Sequence, residues 1–207
     1  MDIRIDATNL KKVFNRRVVF QHISFSLQNG QTLLIIGRNG SGKSTLVKIV
    51  SGVLTPSEGS VSLRSHSRDL SHTRIGFIGL VSPYLQMYDE FSARENLRFA
   101  LAIRGLQRDP STTDMLLDRV RLADRADDPV RTYSSGMKQR LKYAFALVHH
   151  PQVLILDEPT ANLDADGIDI VQEIMREHQQ SGILIVATND LRDIDHYDSQ
   201  VDLNATH

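Results

Sequence analysis

A glycine-rich segment in the first quarter of the chain carries residue types that bind phosphate. It reads Gly37-Arg38-Asn39-Gly40-Ser41-Gly42-Lys43-Ser44-Thr45 and lies between an apolar run at 33–36 and a helical pattern at 46–50. This order predicts a strand, a loop and a helix. The three glycines keep the bends of the loop free of Cβ atoms, so that successive backbone N–H groups can turn toward one anion.

Two side chains at the end of this segment suit a nucleoside triphosphate bound with Mg²⁺. The N-terminus of the following helix directs unpaired N–H groups and a partial positive charge at the same anion. Lys43 is expected to contact the β- and γ-phosphates, and the Ser44 hydroxyl to ligate Mg²⁺. The segment therefore predicts a phosphate-binding loop.

A pair of carboxylates follows an uninterrupted apolar run in the second half of the chain. Residues 153–156 are all apolar, as in a central parallel strand covered on both faces, and Asp157 and Glu158 come directly after them. Open α/β sheets bind their ligands at the carboxyl ends of such strands. We predict that Asp157 ligates Mg²⁺, directly or through water, and that Glu158 is the general base for an attacking water.

Composition restricts the classes of function. The 207 residues include 24 Lys and Arg against 25 Asp and Glu, so no bulk basic surface is expected and no nucleic-acid partner. The absence of cysteine excludes disulfides and thiolate metal sites. Residues 1–6 lack the apolar core of a signal peptide, and no apolar run approaches the ~18 residues of a membrane span. Work at a membrane would therefore require a partner.

Hydrophobic patterns divide the chain into a β-rich part and a helical part. Strands are predicted at 3–7, 18–20, 23–27, 32–36, 61–63 and 75–81. Residues 23–27 alternate between apolar and polar, 33–36 form an apolar run, and 75–81 indicate a buried strand interrupted by glycines. Residues 10–14 are predicted to be a polar connection and residues 64–74 a surface loop.

The helical part begins after Ser82-Pro83. A capping box at Ser92 and Glu95 opens a helix through Ile103, and a second helix is predicted from about Ser111 to Leu122. We expect one domain, 1–207, with a catalytic core at 1–81 and 150–207 and a helical subdomain at 82–149. A helix at 166–179 and a buried strand at 183–188 complete the core, followed by a short polar tail.

Taken together, these motifs resemble the nucleotide-binding subunit of ATP-binding-cassette (ABC) transporters along essentially the whole chain. The family signature, usually Leu-Ser-Gly-Gly-Gln, corresponds to Tyr133-Ser134-Ser135-Gly136-Met137. The resemblance implies an α/β P-loop NTPase fold. Its core would combine an antiparallel β subdomain with a parallel sheet, and an α-helical subdomain would carry the signature.

The resemblance also implies residue roles and partners. Phe14 matches the aromatic side chain that stacks on adenine, and Asp157 and Glu158 match the Mg²⁺-linked carboxylate and the base. The signature residues of one subunit would contact the γ-phosphate of ATP bound to a second subunit, and a homodimer is expected. The cofactors would be ATP and Mg²⁺. Besides the second copy of the chain, the partner would be an integral membrane permease. Such a subunit is cytoplasmic and peripheral on the inner face of the cell membrane.

Three places depart from the family pattern. Ser135 and Met137 replace a glycine and the glutamine of the signature. Pro83 stands where the family has a metal-linked glutamine, and Gln86 is a candidate to replace it as a Mg²⁺ ligand. Asn189 stands where the family has a catalytic histidine, and it can donate a hydrogen bond but supplies no positive charge. Slow hydrolysis is therefore expected.

We expect an ATPase subunit that dimerises on ATP and drives a separate membrane-spanning partner. Its small size and short tail resemble the haem exporter subunit of cytochrome c maturation, although no residue of this chain is expected to touch the exported substrate. Two alternatives stay open. One is a soluble cassette ATPase of the iron–sulfur assembly type, and the other is an ATP-dependent clamp that scarcely hydrolyses ATP.

Overall fold

The computed structural model describes residues 2–66, 68–107 and 109–204. Among them it contains two sheets and five α-helices. The strands are β1 Ile3–Phe14, β2 Arg17–Gln28, β3 Thr32–Ile36, β4 Glu58–Ser65, β5 Arg68–Asp69, β6 Ile78–Val81, β7 Val153–Asp157, β8 Ile183–Thr188 and β9 Ser199–Asp202. The helices are α1 Lys43–Ser51, α2 Ala93–Ala102, α3 Pro110–Arg119, α4 Ser135–Leu147 and α5 Ala165–Ser181.

A five-stranded sheet in the order β6-β7-β8-β3-β9 forms the centre of the molecule. All of its strand pairs are parallel. The carboxyl ends of β3, β7 and β8 are therefore neighbours at one edge, because parallel strands end on the same side of a sheet. The phosphate loop follows β3, and the carboxylate pair lies at the end of β7.

Side chains from both faces of this sheet are buried in hydrophobic cores, as the apolar runs predict. Along β7, Leu154 and Leu156 pack into a core shared with the helices α2 to α5. Val153 and Ile155 pack on the opposite face, against α1 and the second sheet. The alternation follows from the period of two in a strand, and it confirms that β7 is covered on both sides.

The second sheet is antiparallel, in the order β2-β1-β4-β5. β1 and β2 form a long hairpin whose ends pair Phe14 with Arg17. The two residues between them, Asn15 and Arg16, have φ of 46° and 65°, as a two-residue type I′ turn requires. The mixed architecture predicted from the sequence is thus confirmed.

Several local predictions were wrong. Residues 10–14 belong to β1 rather than to a connection, and the region 64–74 contains the end of β4, the strand β5 and part of a 3₁₀ helix, Ser71–Phe77. Residues 75–77 lie in that 3₁₀ helix, so the buried strand begins only at Ile78. The polar tail includes β9, which pairs with β3, and Leu203 after it is fully buried.

The predicted helices are present. Ser92 caps α2 and forms the full capping box with Glu95, and α3 begins slightly earlier than expected because Asp109 caps it. The helices α2, α3 and α4 lie within 82–149, and the division into a core and a helical subdomain stays a prediction. In the described part of the chain, no helix has the length and apolarity needed to cross a bilayer.

Candidate functional site

The loop between β3 and α1 has the backbone geometry of an anion site. Gly40 and Gly42 have φ of 81° and 106°, a region in which residues with a Cβ are strained. Gly42 is the N-cap of α1, and no side chain caps this helix end. The first N–H groups of α1 have no acceptor within their own helix, so they are available to an anion at the loop.

Contacts inside the loop, and one with the segment after β9, hold its shape. The Arg38 N–H donates to Oδ1 of Asn204 at 3.0 Å, just after β9. A Cβ on Gly37 would lie 2.3 Å from Oγ of Ser41, so Gly37 allows the chain to close on itself. The Ser41 N–H completes this turn by donating to the Arg38 carbonyl at 3.0 Å.

The side chain of Lys43 returns into the loop that precedes it. Lys43 is 6% exposed, and its Nζ donates to the Gly37 carbonyl at 2.9 Å. The same Nζ lies 3.2 Å from Oε1 of Glu158, whose side chain is 26% exposed. The predicted phosphate-binding lysine and the predicted base are therefore joined by an ion pair.

Asp157 ends β7 as a fully buried carboxylate. The Ser82 hydroxyl donates to its Oδ2 at 3.4 Å, whereas its Oδ1 has no hydrogen-bond partner among the described residues. Burial raises the pKa of Asp157, and the neighbouring Ser44 hydroxyl opposes this shift. A buried oxygen without a donor beside a serine hydroxyl fits a divalent cation that takes oxygen ligands. Ser44 and Asp157 are therefore suited to hold Mg²⁺.

Glu158 lies immediately beyond β7. Its φ is 52°, and its N–H donates to the Ala187 carbonyl of β8 at 2.8 Å. This left-handed bend is uncommon for a residue with a Cβ, and such strain concentrates at functional sites. The bend separates the two carboxylates, so that Asp157 is buried while Glu158 lines the open site.

Lys43, Ser44 and Glu158 border a cavity of about 540 Å³, and the buried Asp157 does not line it. Its walls come from the β1–β2 hairpin, the phosphate loop, the start of α1 and the segment after β6. They comprise Phe14, Arg17, Val18, Val19, Arg38, Asn39, Gly40, Gly42, Lys43, Ser44, Thr45, Pro83, Tyr84 and Glu158. Phe14 thus lines the same cavity as the phosphate loop, and its stacking on adenine stays a prediction.

Asn189 follows β8 and reaches the phosphate loop. Its Nδ2 donates to Oδ1 of Asn39 at 3.1 Å, and the residue is exposed. Asn189, which the sequence predicts to stand in the place of a histidine, therefore lies beside the loop.

The structure does not bring every predicted residue to this cavity. Gln86 lines a separate cavity of about 350 Å³ together with Ser135. The signature segment begins α4, where Oγ of Ser134 accepts from the Met137 N–H at 3.2 Å. Ser134 and Ser135 are exposed, and none of the signature residues lines the phosphate-loop cavity among the described residues.

Sequence reasoning missed several supporting residues. Arg17 adds a guanidinium to the cavity. It pairs with Phe14 across a two-residue turn, so its closeness to Phe14 in the sequence could have indicated it. The buried Tyr143 of α4 donates its hydroxyl to the Pro159 carbonyl at 2.6 Å, directly after the carboxylate pair. Asp193 accepts from Thr160 and Thr188 at 2.6 and 2.5 Å. No pattern in the sequence indicated these last contacts.

The glycines of the loop differ in what an added Cβ would meet. At Gly42, alanine would place a Cβ 2.6 Å from Cγ1 of Val19 in addition to the strained φ, whereas at Gly40 there is nothing within 4 Å. Gly42→Ala is therefore expected to lower the free energy of unfolding clearly more than Gly40→Ala, which bears only the left-handed strain of about 1–2 kcal/mol. Urea denaturation of the two variants measures the difference, and equal losses would contradict the packing described for Gly42.

Comparison with known sequences places this geometry in a family. Residues 20–161 match the family model described as "ABC transporter". The lantibiotic transport ATP-binding protein SrtF of Streptococcus pyogenes is 33% identical over 189 residues, which cover 91% of this chain and 81% of SrtF. The Nod factor export ATP-binding protein I of Sinorhizobium fredii is 36% identical over 197 residues, covering 90% of this chain and 55% of that protein.

A third relative and a solved structure agree with this assignment. The cytochrome c biogenesis ATP-binding export protein CcmA of Vibrio vulnificus is 31% identical over 188 residues, covering 89% of this chain and 90% of CcmA. A solved structure of an ATP-binding subunit of an ABC transporter superposes with a TM-score of 0.84 at 26% identity, covering 96% of this chain and 85% of that one. The chain therefore belongs to the ABC transporter family of ATPases, as one of its ATP-binding members.

Proposed function

We propose that the chain is the ATP-hydrolysing subunit of an ABC exporter and that it drives a separate membrane-spanning partner. The observation that carries the proposal is the ion pair between Lys43 and Glu158, 3.2 Å apart at the mouth of the phosphate loop. It brings the phosphate-binding lysine and the base for water into one site. The names of the relatives, which describe transport or export, support the exporter type.

The residues of the site divide the work of binding. The N–H groups of the loop and of the start of α1 surround the triphosphate, and Phe14 stacks on the adenine. Arg17 and Arg38 line the same cavity and add positive charge near the phosphates. Ser44 and Asp157 would hold Mg²⁺, and Gln86, which lies on another cavity, takes no part. When bound, Mg²⁺ supplies positive charge that neutralises the phosphate oxygens.

Binding of the triphosphate also changes the partner of Lys43. The ammonium of Lys43 is paired with Glu158 in the structure. Phosphate oxygens compete for that ammonium, so Glu158 is released to accept a proton from the attacking water. Asn189 lies beside the loop through Asn39 and donates a neutral hydrogen bond toward the γ-phosphate. The ion pair of Lys43 with Glu158 is thereby exchanged for one with phosphate, and Glu158 becomes active as the general base.

A second copy of the chain would complete the site. The exposed Ser134 and Ser135, with Gly136 and Met137, begin α4 away from the phosphate-loop cavity, so they are free to approach a nucleotide bound elsewhere. Hydroxyls and N–H groups at a helix N-terminus favour an anion. In the proposed homodimer this segment contacts the γ-phosphate held by the partner, and each of the two ATP molecules is enclosed by both copies.

The relatives differ in the transported substrate that their names state. Haem export for cytochrome c maturation is supported by the match to CcmA along 90% of its length, whereas SrtF and the Nod factor protein are named for other cargo. The proposed location is the inner face of the cell membrane, held by the permease. A soluble ATPase of the iron–sulfur assembly type is the alternative. An integral membrane protein is expected to copurify with the tagged chain from detergent extracts. If no membrane protein copurifies, the soluble alternative is favoured.

Glu158→Gln tests the proposed base. The amide cannot accept the proton of water, so the rate of ATP hydrolysis is expected to fall at least about a hundredfold. ATP affinity is expected to be retained, since the variant also removes the carboxylate that competes for Lys43. Phosphate release and ATP binding by titration calorimetry measure both effects. Glu173→Gln, on the exposed side of α5, is the matched control, and hydrolysis at the normal rate by Glu158→Gln would contradict the assignment.

Asn189→His tests whether the missing positive charge limits hydrolysis. A single donor to the transition state is worth roughly a hundredfold in rate, so the steady-state ATPase rate is expected to rise at least about tenfold. Asn189→Ala, which donates no hydrogen bond, is expected to give no rise. An unchanged rate for Asn189→His would show that this position is not limiting. Single-turnover measurements then separate slow hydrolysis from the clamp alternative. A clamp would leave bound ATP uncleaved in the wild type and in Asn189→His.

A further inference from the structure

Phe14 is exposed, although stacking on a nucleobase requires that its ring keep a fixed orientation. It is the last residue of β1, at the tip of a hairpin, and it is 46% exposed. Its ring borders the cavity together with Arg17 and Val18. Hairpin tips are among the more mobile parts of a fold, so other contacts must keep the ring in place if it is to stack on a base.

Lys12 makes the most direct contact with the ring. It precedes Phe14 by two residues in the same strand, and side chains with this spacing lie on the same face. Its Nζ lies 4.8 Å from the centroid of the Phe14 ring, within the range of a cation–π interaction. The ammonium is itself held by the Thr55 carbonyl, to which Nζ donates at 2.8 Å. One face of the ring is therefore covered by a cation whose position is fixed by the backbone.

The carbonyl that holds Lys12 belongs to the turn connecting α1 with β4. In this turn the Ser57 Oγ accepts from the Val13 N–H at 3.0 Å, and the Ser57 N–H donates to the Lys11 carbonyl at 2.8 Å. The Leu54 N–H donates to the Lys48 carbonyl of α1 at 2.9 Å. The turn thus links the end of the phosphate-loop helix to the strand that carries Phe14.

We propose that Lys12 is a positioning residue for nucleobase recognition, which fixes the Phe14 ring and leaves only its cavity face for a stacked base. The inference rests on the proposed function, in which Phe14 stacks on the base of a bound nucleotide. A cation on one face of the ring draws π-electron density toward itself, so the opposite face suits an electron-rich purine. Phosphate binding does not depend on this contact.

The test separates binding of the nucleobase from binding of the phosphates. Titration calorimetry measures the affinity of the full chain for MgATP and for inorganic tripolyphosphate with Mg²⁺, in the wild type and in Lys12→Met. The ATP affinity is expected to fall about two- to fivefold, as the loss of an exposed cation–π interaction implies, with the tripolyphosphate affinity unchanged. Lys12→Arg keeps a cation over the ring and is expected to bind ATP with the affinity of the wild type.

Two further variants make the result specific to the ring. Lys11→Met is the matched control, because the neighbouring Lys11 has the same charge and pairs with Glu58 at 2.9 Å. It is expected to change neither affinity. In Phe14→Ala the ATP affinity falls, and adding Lys12→Met to that variant is expected to lower it no further. Thermal unfolding of the ligand-free variants confirms that each is folded.

Three outcomes would overturn the inference. They are an unchanged ATP affinity in Lys12→Met, equal losses for ATP and tripolyphosphate, or a further loss when Lys12→Met is added to Phe14→Ala. The proposed function fails in a different way, since a wild-type chain that binds neither MgATP nor tripolyphosphate would remove the nucleotide site itself.

Discussion

The buried ammonium of Lys43 is the interaction on which the rest of the site depends. A charge that is 6% exposed must be paired, and here it is paired with the Gly37 carbonyl and with Glu158. In the proposed mechanism, a triphosphate that enters the loop competes with Glu158 for this ammonium, because it offers more negative charge than one carboxylate. The contact that holds Lys43 beside Glu158 would therefore make release of the proposed general base depend on nucleotide binding.

The parallel sheet brings these groups together from distant parts of the chain. The strand β8 lies between β3 and β7, so the phosphate loop, Asn189 and the carboxylate pair leave neighbouring strands at one edge. Tyr143 joins the signature helix to Pro159 after the carboxylate pair. Through this hydrogen bond, α4 and the end of β7 are held in one arrangement. The site therefore depends on the order of strands more than on any single loop.

Short, continuous patterns made part of the fold predictable. The phosphate loop, the run at 153–158 and the capping box at Ser92 each contain their own physical cause within a few residues. The strand at Lys11 and Lys12 was not predictable in this way, because its backbone is fixed by pairing with β2 and β4 rather than by apolar alternation. The same holds for the polar β9, which exists through its pairing with β3. The contacts that fix the Phe14 ring depend on these tertiary pairings, so local patterns could not indicate them.

The central claim is that the loop binds ATP through its triphosphate. Thermal unfolding of the wild-type chain with MgATP or with AMP at equal concentration tests it most directly. AMP lacks the β- and γ-phosphates that are proposed to contact Lys43 and the N–H groups of α1. The account therefore predicts that MgATP raises the midpoint by several degrees, corresponding to about 2.7 kcal/mol at a hundred times Kd, and that AMP leaves it nearly unchanged. An equal rise with AMP, or none with MgATP, would contradict the account.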